Sequence, residues 1–248
     1  MWKAVLQKTI KDNMKLNPTS VYFQMSNLTD EGLPTVRTVV FRGFIAEKKP
    51  KDMSHGYWTS DLIVTTTHFH SNKVKQLLEN NVVEICWYFP ETHEQYRLKG
   101  KAHLVADPIH NIPPPTSLEG KSYHQHLSYT PNIDPNSAAY EIPTQPPKYD
   151  WEKERMYHFN RLKPELRASF TWPPPGQPRT EPDERFIPQL HEGDTSSVLA
   201  TMALQNFVLI IIEVNHVDRC VLNCFPHKRY FYKWNMGSKT WVETEVNP

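Results

Sequence analysis

The chain reads as mainly β with peripheral helices, an α+β protein built around one antiparallel barrel. Three observations predict this. Five stretches rich in β-branched and aromatic residues, 21–25, 36–44, 62–67, 82–89 and 96–104, follow one another in the first half. Four more, 205–214, 217–223, 228–233 and 240–246, close the chain. Glycine is scarce (8) and proline abundant (22), and neither GxGxxG nor a glycine-rich P-loop occurs, which argues against the parallel designs that wrap a phosphate in glycine.

The elements follow in order. Residues 1–16 form a helix, with Trp2, Leu6, Ile10 and Met14 recurring every four residues and Val5 joining their face, until Asn17-Pro18 stops it. Turns are expected at 30–32 and 47–50. Between the third and fourth strands lies a short helix, 71–79, whose Val74, Leu77 and Leu78 can face a core. Residues 106–150 differ. They hold many prolines, Pro113-Pro114-Pro115 and Pro146-Pro147 among them, and few aliphatics, so they read as a long insertion on the surface or without order. A helix is expected over 151–162 with Asp150 as its N-cap, and Trp172-Pro-Pro-Pro-Gly176 fixes an extended segment. The simplest sum is a single domain over 1–248 whose last strands pair with its first ones.

Bulk properties narrow the function. A chain of 248 residues can bury one substantial core. The net charge of +1 with no block of like charge argues against nucleic acid as a partner. No stretch is long enough to cross a bilayer; the most apolar run, 207–214, has strand length and contains Glu213. The N-terminus lacks the apolar region of a signal peptide. Three cysteines, Cys86, Cys220 and Cys224, give no disulfide framework, so a reducing cytosol is expected, with the nucleus left open. Cys220 and Cys224 have no second thiol pair, and are read as buried or inert rather than as metal ligands.

Three clusters carry chemistry. Arg37-Thr38-Val39-Val40-Phe41-Arg42 puts two arginines in an apolar strand, where each needs an anion or an exposed edge. Their spacing places them on opposite faces, so both serve one ligand only if the strand bends or Arg42 lies at its end. Thr65-Thr66-Thr67-His68-Phe69-His70-Ser71-Asn72-Lys73 runs a strand of hydroxyls into a helix start. There Ser71 can cap, and free N–H groups with Lys73 suit a phosphate, although hydroxyl-capped helices are common. His68-x-His70 lacks a third ligand nearby, and no metal is expected. Gln95 opens the strand Gln95-Tyr96-Arg97-Leu98-Lys99-Gly100, where its amide can reach a heteroaromatic ring or simply face water.

The order V-R-T-V-x-x-R-G-F, T-T-x-x-x-S-x-K-x-K-Q-L, W-Y-F-x-x-T-x-E-Q-x-R-x-x-G resembles the pyridoxamine/pyridoxine 5′-phosphate oxidases. Arg167-Ala-Ser-Phe170-Thr-Trp172-Pro-Pro-Pro-Gly176 is similar to a motif of an oxidase-related FMN-binding branch, and the ending from Val217 to Pro248 also resembles the family. The resemblance implies an FMN-binding split β-barrel, a homodimer with FMN between the subunits, and a small phosphorylated substrate. It implies that Arg37 and Lys73 hold the FMN phosphate beside Ser71, and that Thr38, Val39 and Thr67 line the flavin. Arg42 stands where the oxidases have lysine. Gln95 would meet the isoalloxazine and Arg229 approach it, Tyr157, Arg161 and His227 would bind substrate, and His227 with Arg229 would flank the reacting carbon. Four positions depart from the pattern. Asn72 replaces a phosphate-binding arginine, Cys220 or its neighbour a tryptophan, Glu165 a small hydroxyl residue and Phe225 an arginine over the substrate. Losing one cation and adding a carboxylate weakens a phosphorylated substrate by roughly a few kcal/mol. Two functions follow: an FMN-dependent oxidase of vitamin B6 type, or an FMN carrier or sensor without that turnover.

Overall fold

The computed structural model describes residues 1–47, 56–119, 126–131, 147–187, 190–191, 193–194, 196–235, 237–238 and 240–248. Among them the strands are β1 (Tyr22–Leu28), β2 (Pro34–Val40), β3 (Tyr57–Ser60), β4 (Ile63–His68), β5 (Val82–Phe89), β6 (Glu94–Val105), β7 (Leu127–Thr130), β8 (Phe207–Val221), β9 (Lys228–Asn235) and β10 (Thr240–Val246). The helices are α1 (Trp2–Met14), α2 (Asn72–Glu79), α3 (Trp151–Asn160), α4 (Pro164–Ala168) and α5 (Val198–Asn206).

Six strands close a barrel. β2 pairs with β1, β1 with β5, β5 with β6, β6 with β8 and β8 with β4, all antiparallel. The ring shuts through the chain just after β2: Arg42 N–H donates to Val64 O, Val64 N–H to Gly43 O, and Ile45 N–H to Leu62 O. Along β2 itself no strand among the described residues bonds the edge away from β1, so the wall is split there. The expectation that the last strands pair with the first ones is corrected. β9 and β10 form a hairpin carried on the far half of β8, and β8 pairs with β4 and β6.

β8 belongs to two cores. Val208, Ile210, Ile212 and Val214 point into the barrel beside Phe23, Met25, Ile85, Trp87 and Leu98. Phe207, Leu209 and Ile211 point the other way, under α3 and α5, with Trp151, Phe159, Phe170 and Ala203. Burial on both faces explains the unbroken apolar run from Phe207 to Ile212. The two stretches expected as separate strands, 205–214 and 217–223, are one strand whose register against β6 shifts between Lys99 and Gly100. The residues just before it form α5, which the sequence reading missed; Ser197 caps it by accepting from Ala200 N–H at 3.0 Å.

Gly100 shows why this register holds. A methyl group added there would lie 2.0 Å from the main-chain oxygen of Glu213. Gly100→Ala is therefore expected to force the strands apart at the bulge and cost about 1–3 kcal/mol or more, measurable as a lower thermal midpoint.

Two expected core positions are corrected. On α1, Trp2, Leu6 and Ile10 are buried, whereas Met14 is exposed. Asn13 is buried in its place, donating to Thr9 O and Thr92 Oγ1 and accepting from Glu91 N–H. On α2, Val74 and Leu77 are buried and Leu78 is exposed, because the helix is a single short layer over β1 and β6. The 151–162 helix ends at Asn160, with Asp150 capping Lys153 N–H at 2.8 Å as expected. Of the proline-rich segment, residues 127–130 form β7 and pair with β3; residues 120–125 and 132–146 lie outside the described residues.

The helical layer is locked by one charge. Arg155 is fully buried on α3 and donates to Glu152, to Asp107 Oδ2 at 2.8 Å, and to the carbonyls of Leu204 and Phe207. It ties α3 to the end of β6, the end of α5 and the first residue of β8.

A candidate flavin site

The mouth of the split gathers the hydroxyl and cationic residues. Thr67 ends the buried run of β4, and its Oγ1 lies 2.9 Å from Ser71 Oγ. Lys73 Nζ donates to Thr67 Oγ1 at 3.0 Å and to Ser71 Oγ at 3.2 Å. Ser71 is the N-cap of α2 by position, yet its hydroxyl makes no capping bond. It is turned toward the lysine instead. The helix therefore presents its first N–H groups and its positive dipole end to the same space.

Arg37 enters from β2. It lies opposite Met25 on β1 and on the barrel-facing side with Val39. Its guanidinium donates to Asn27 Oδ1, to Thr35 Oγ1 at 3.2 Å and to Met25 O. Asn27 is buried and its amide donates to Gln76 Oε1 of α2 at 3.0 Å, so one asparagine couples the arginine to the helix. The sequence reading missed Asn27; the signal was a polar residue two positions past Met25 in an otherwise apolar face. Lys73 and Arg37 are close enough to repel. Burial first, and Arg37 second, push the Lys73 ammonium down to about 8. No carboxylate among the described residues pairs with either cation.

The other expected residues divide. Thr38 is exposed on the outer face of β2, and Val39 is buried in the barrel core. Val39 can therefore offer a ligand only its main chain at the split, while Thr38 keeps its hydroxyl outside. Arg42 does lie beyond the end of β2, half-buried, with its Nε unbonded among the described residues; burial lowers its affinity for its proton, with Tyr22 opposing. His68 stacks on Phe170 at 6.0 Å, and burial, then His70, push its imidazole down to about 4, which keeps it neutral beside the cations.

A second group lies elsewhere. Gln95, Cys220 and Arg229 stand side by side on β6, β8 and β9. In the next row Asp218 accepts from Arg229 Nε at 2.9 Å and from Arg229 NH2 at 2.8 Å, and also from Arg97. The paired arginines hold Asp218 below its usual range although burial opposes them. His227 is exposed in the turn between β8 and β9, with Nδ1 2.8 Å from Cys224 O. Tyr157 and Arg161 are neighbours on the outer face of α3: the guanidinium donates to the phenol oxygen and lies over the ring at 5.2 Å. Among the described residues no group of three or more His, Cys, Asp or Glu side chains is placed to hold a metal, and no helix is long and apolar enough to cross a membrane.

Residues 1–106 match the family model described as pyridoxamine 5′-phosphate oxidase, FMN-binding domain. The fold is the split barrel of the pyridoxamine 5′-phosphate oxidase-like structures, and the match over residues 1–106 supports FMN as its cofactor. The pyridoxine/pyridoxamine 5′-phosphate oxidase 2 of Arabidopsis thaliana is 26% identical over 250 residues, covering 100% of this chain and 96% of that protein. An uncharacterized protein of Saccharomyces cerevisiae is 22% identical over 298 residues, covering 100% and 98%. A crystal structure of a pyridoxamine 5′-phosphate oxidase-related, FMN-binding protein from Nostoc punctiforme superimposes with a TM-score of 0.70 at 23% identity, covering 100% of this chain and 97% of that one.

The split barrel's own residues fit that cofactor. Two cations without an acidic partner, two hydroxyls and a helix start converge where a phosphomonoester needs donors. A pH dependence follows. A Lys73 ammonium at about 8 discharges in the free protein as pH rises past that value, so FMN affinity is expected to fall between about pH 8 and 10, as read by flavin fluorescence titration. Stability of the cofactor-free form should move the other way. The unfolded lysine keeps its proton up to its ordinary value of 10.5, so across this window the unfolded state binds more protons and melts should shift upward with pH.

Proposed function

We propose that the chain is an FMN-dependent oxidoreductase acting as a homodimer on a small ring-bearing substrate of the pyridoxine or pyridoxamine type. The observation that carries the reading is the acid-free cluster of Arg37, Thr67, Ser71 and Lys73 at the start of α2. In it Arg37 and Lys73 hold the FMN phosphate, with the main chain of Thr38 and Val39 and the nearby Arg42 along the flavin.

The dimer rests on distance. Thr67 pairs with Val208 near one end of β8, and Gln95 pairs with Cys220 near the other. Twelve residues of strand separate these positions, a contour of about 40 Å at 3.3 Å per residue. One FMN does not span both groups of one chain. Two copies arranged so that the Gln95–Arg229 row of one faces the phosphate cluster of the other complete two equal sites. The exposed apolar side chains of Tyr22, Val36 and Tyr88 lie on the same outer face of β2, β1 and β5, which suits burial against a second copy.

When bound, FMN would supply a hydride acceptor for the substrate, with oxygen or another acceptor reoxidising it. The protein places charge and moves the proton. Gln95 offers its amide to the flavin ring, and Asp218 fixes the Arg229 guanidinium beside it. A carbonyl only accepts, so His227 Nδ1 donates to Cys224 O, which in the neutral ring leaves the lone pair on Nε2. His227 Nε2 is then the proton acceptor of the reaction, and Tyr157 with Arg161 holds the substrate's polar end.

The test starts with the absorbance spectrum of purified protein, which should show oxidised flavin. Incubation with pyridoxine 5′-phosphate should then yield the aldehyde. A second reading, an FMN carrier or sensor, is favoured by the exposed Phe225 and Glu165; bound FMN with no turnover of any ring substrate would select it.

A further inference from the structure

The turn between β8 and β9 is braced from within. Val221 pairs with Lys228 at its base, Leu222 N–H donates to His93 O at 2.9 Å, Cys224 Sγ lies 3.5 Å from Pro226 O, and His227 Nδ1 donates to Cys224 O. At the tip of this braced turn Phe225 is 95% exposed, edge-on to the His227 ring with centroids 6.3 Å apart. A rigid turn that holds a bare phenyl ring in solvent beside an imidazole acceptor has the form of a surface made to be covered. The neighbouring arginines are already engaged, while Lys228, next to His227, is exposed. Arg97 and Arg229 share Asp218, and Arg219 is bound by Glu94 at 2.7 Å.

We propose that Phe225 is a specificity-determining residue that covers a flat, uncharged heteroaromatic ring, with His227 Nε2 accepting a hydrogen from a hydroxyl or amine on that ring. The substrate class is then an unphosphorylated hydroxymethyl- or aminomethyl-heteroaromatic, taken at least as readily as its phosphate ester. This rests on the placement of the flavin ring along the row Gln95, Cys220 and Arg229, from whose end the turn projects.

The experiment uses the full chain loaded with FMN in air-saturated buffer, where oxygen reoxidises the flavin, and follows aldehyde formation from pyridoxine and from pyridoxine 5′-phosphate; loss of oxidised-flavin absorbance is read separately without oxygen. Wild-type protein should give kcat/KM for pyridoxine equal to or above that for the phosphate. Phe225→Ala should lower kcat/KM for both rings about ten- to a hundredfold, chiefly through KM, because a full phenyl contact is lost. Phe225→Arg should reverse the preference toward the phosphate. The proposal is overturned if wild type prefers the phosphate tenfold or more, if Phe225→Ala changes neither ring, or if neither ring reduces or spectrally perturbs the bound flavin. A preparation that holds no FMN at all instead overturns the function proposed above. Phe225 has no core contact to lose, so each variant should melt with wild type.

Discussion

Protein carrying Arg37→Ala and Lys73→Ala together should purify colourless, yet melt as a folded barrel. Both side chains spend their charge on the mouth of the split rather than on packing. Among the described residues Lys73 bonds to two hydroxyls, and Arg37 to Asn27, Thr35 and a main-chain oxygen. Each charge-assisted bond to a phosphate contributes roughly 1.5–3 kcal/mol. Losing both should weaken FMN by about 10²- to 10⁴-fold. Removing two half-buried, mutually repelling cations relieves the cofactor-free fold, so its thermal midpoint should hold or rise. Equilibrium dialysis against FMN gives the affinity, and circular dichroism checks the fold. Wild-type affinity in the double variant would show that the phosphate lies elsewhere.

Arg155→Met should give the opposite pattern, a protein much less stable whose folded fraction still binds FMN. The guanidinium is fully buried and satisfies two carboxylates and two main-chain carbonyls at once. Removing it leaves Asp107 without its cation and the carbonyls of Leu204 and Phe207 without that donor. Breaking a buried pair from one side costs about 3–5 kcal/mol, which in a chain of this size lowers the thermal midpoint by on the order of 10 °C. Differential scanning calorimetry reads the loss. An unchanged midpoint would mean that water replaces the guanidinium at no cost.

These two sites differ in how far they were legible in the sequence. Arg37, Ser71 and Lys73 announce themselves as polar residues where a strand and a helix begin or end, and the structure brings them together with Thr67. Arg155 was invisible, because a charged residue in a helix with no clean apolar stripe reads as solvated. The strands were legible from β-branched runs, with 82–89 and 240–246 matching β5 and β10 to the residue. Barrel closure was not, since it depends on three hydrogen bonds made by Arg42 to Ile45 after their strand has ended. α5 was hidden for a related reason. Its apolar residues run directly into β8, so no polar break separates helix period from strand period. Asn27 and Asp218 position the two arginines that matter most, and such supporting roles follow from three-dimensional neighbours rather than from spacing.

The sharing of β8 between two cores bears on what can be cut away. The stretch that matches the FMN-binding family model ends at residue 106, a hundred residues before β8 begins. A fragment stopping there would keep the proposed phosphate site, Arg37, Thr67, Ser71 and Lys73, together with Gln95, yet leave β4 and β6 each with a bare edge and an open seam between them. The proposed cofactor grip is encoded early and the wall that keeps it in shape is encoded late. An unfinished chain would thus hold its ligand groups ready before it had a vessel to hold them in, and flavin capture must wait for the last third of the polypeptide.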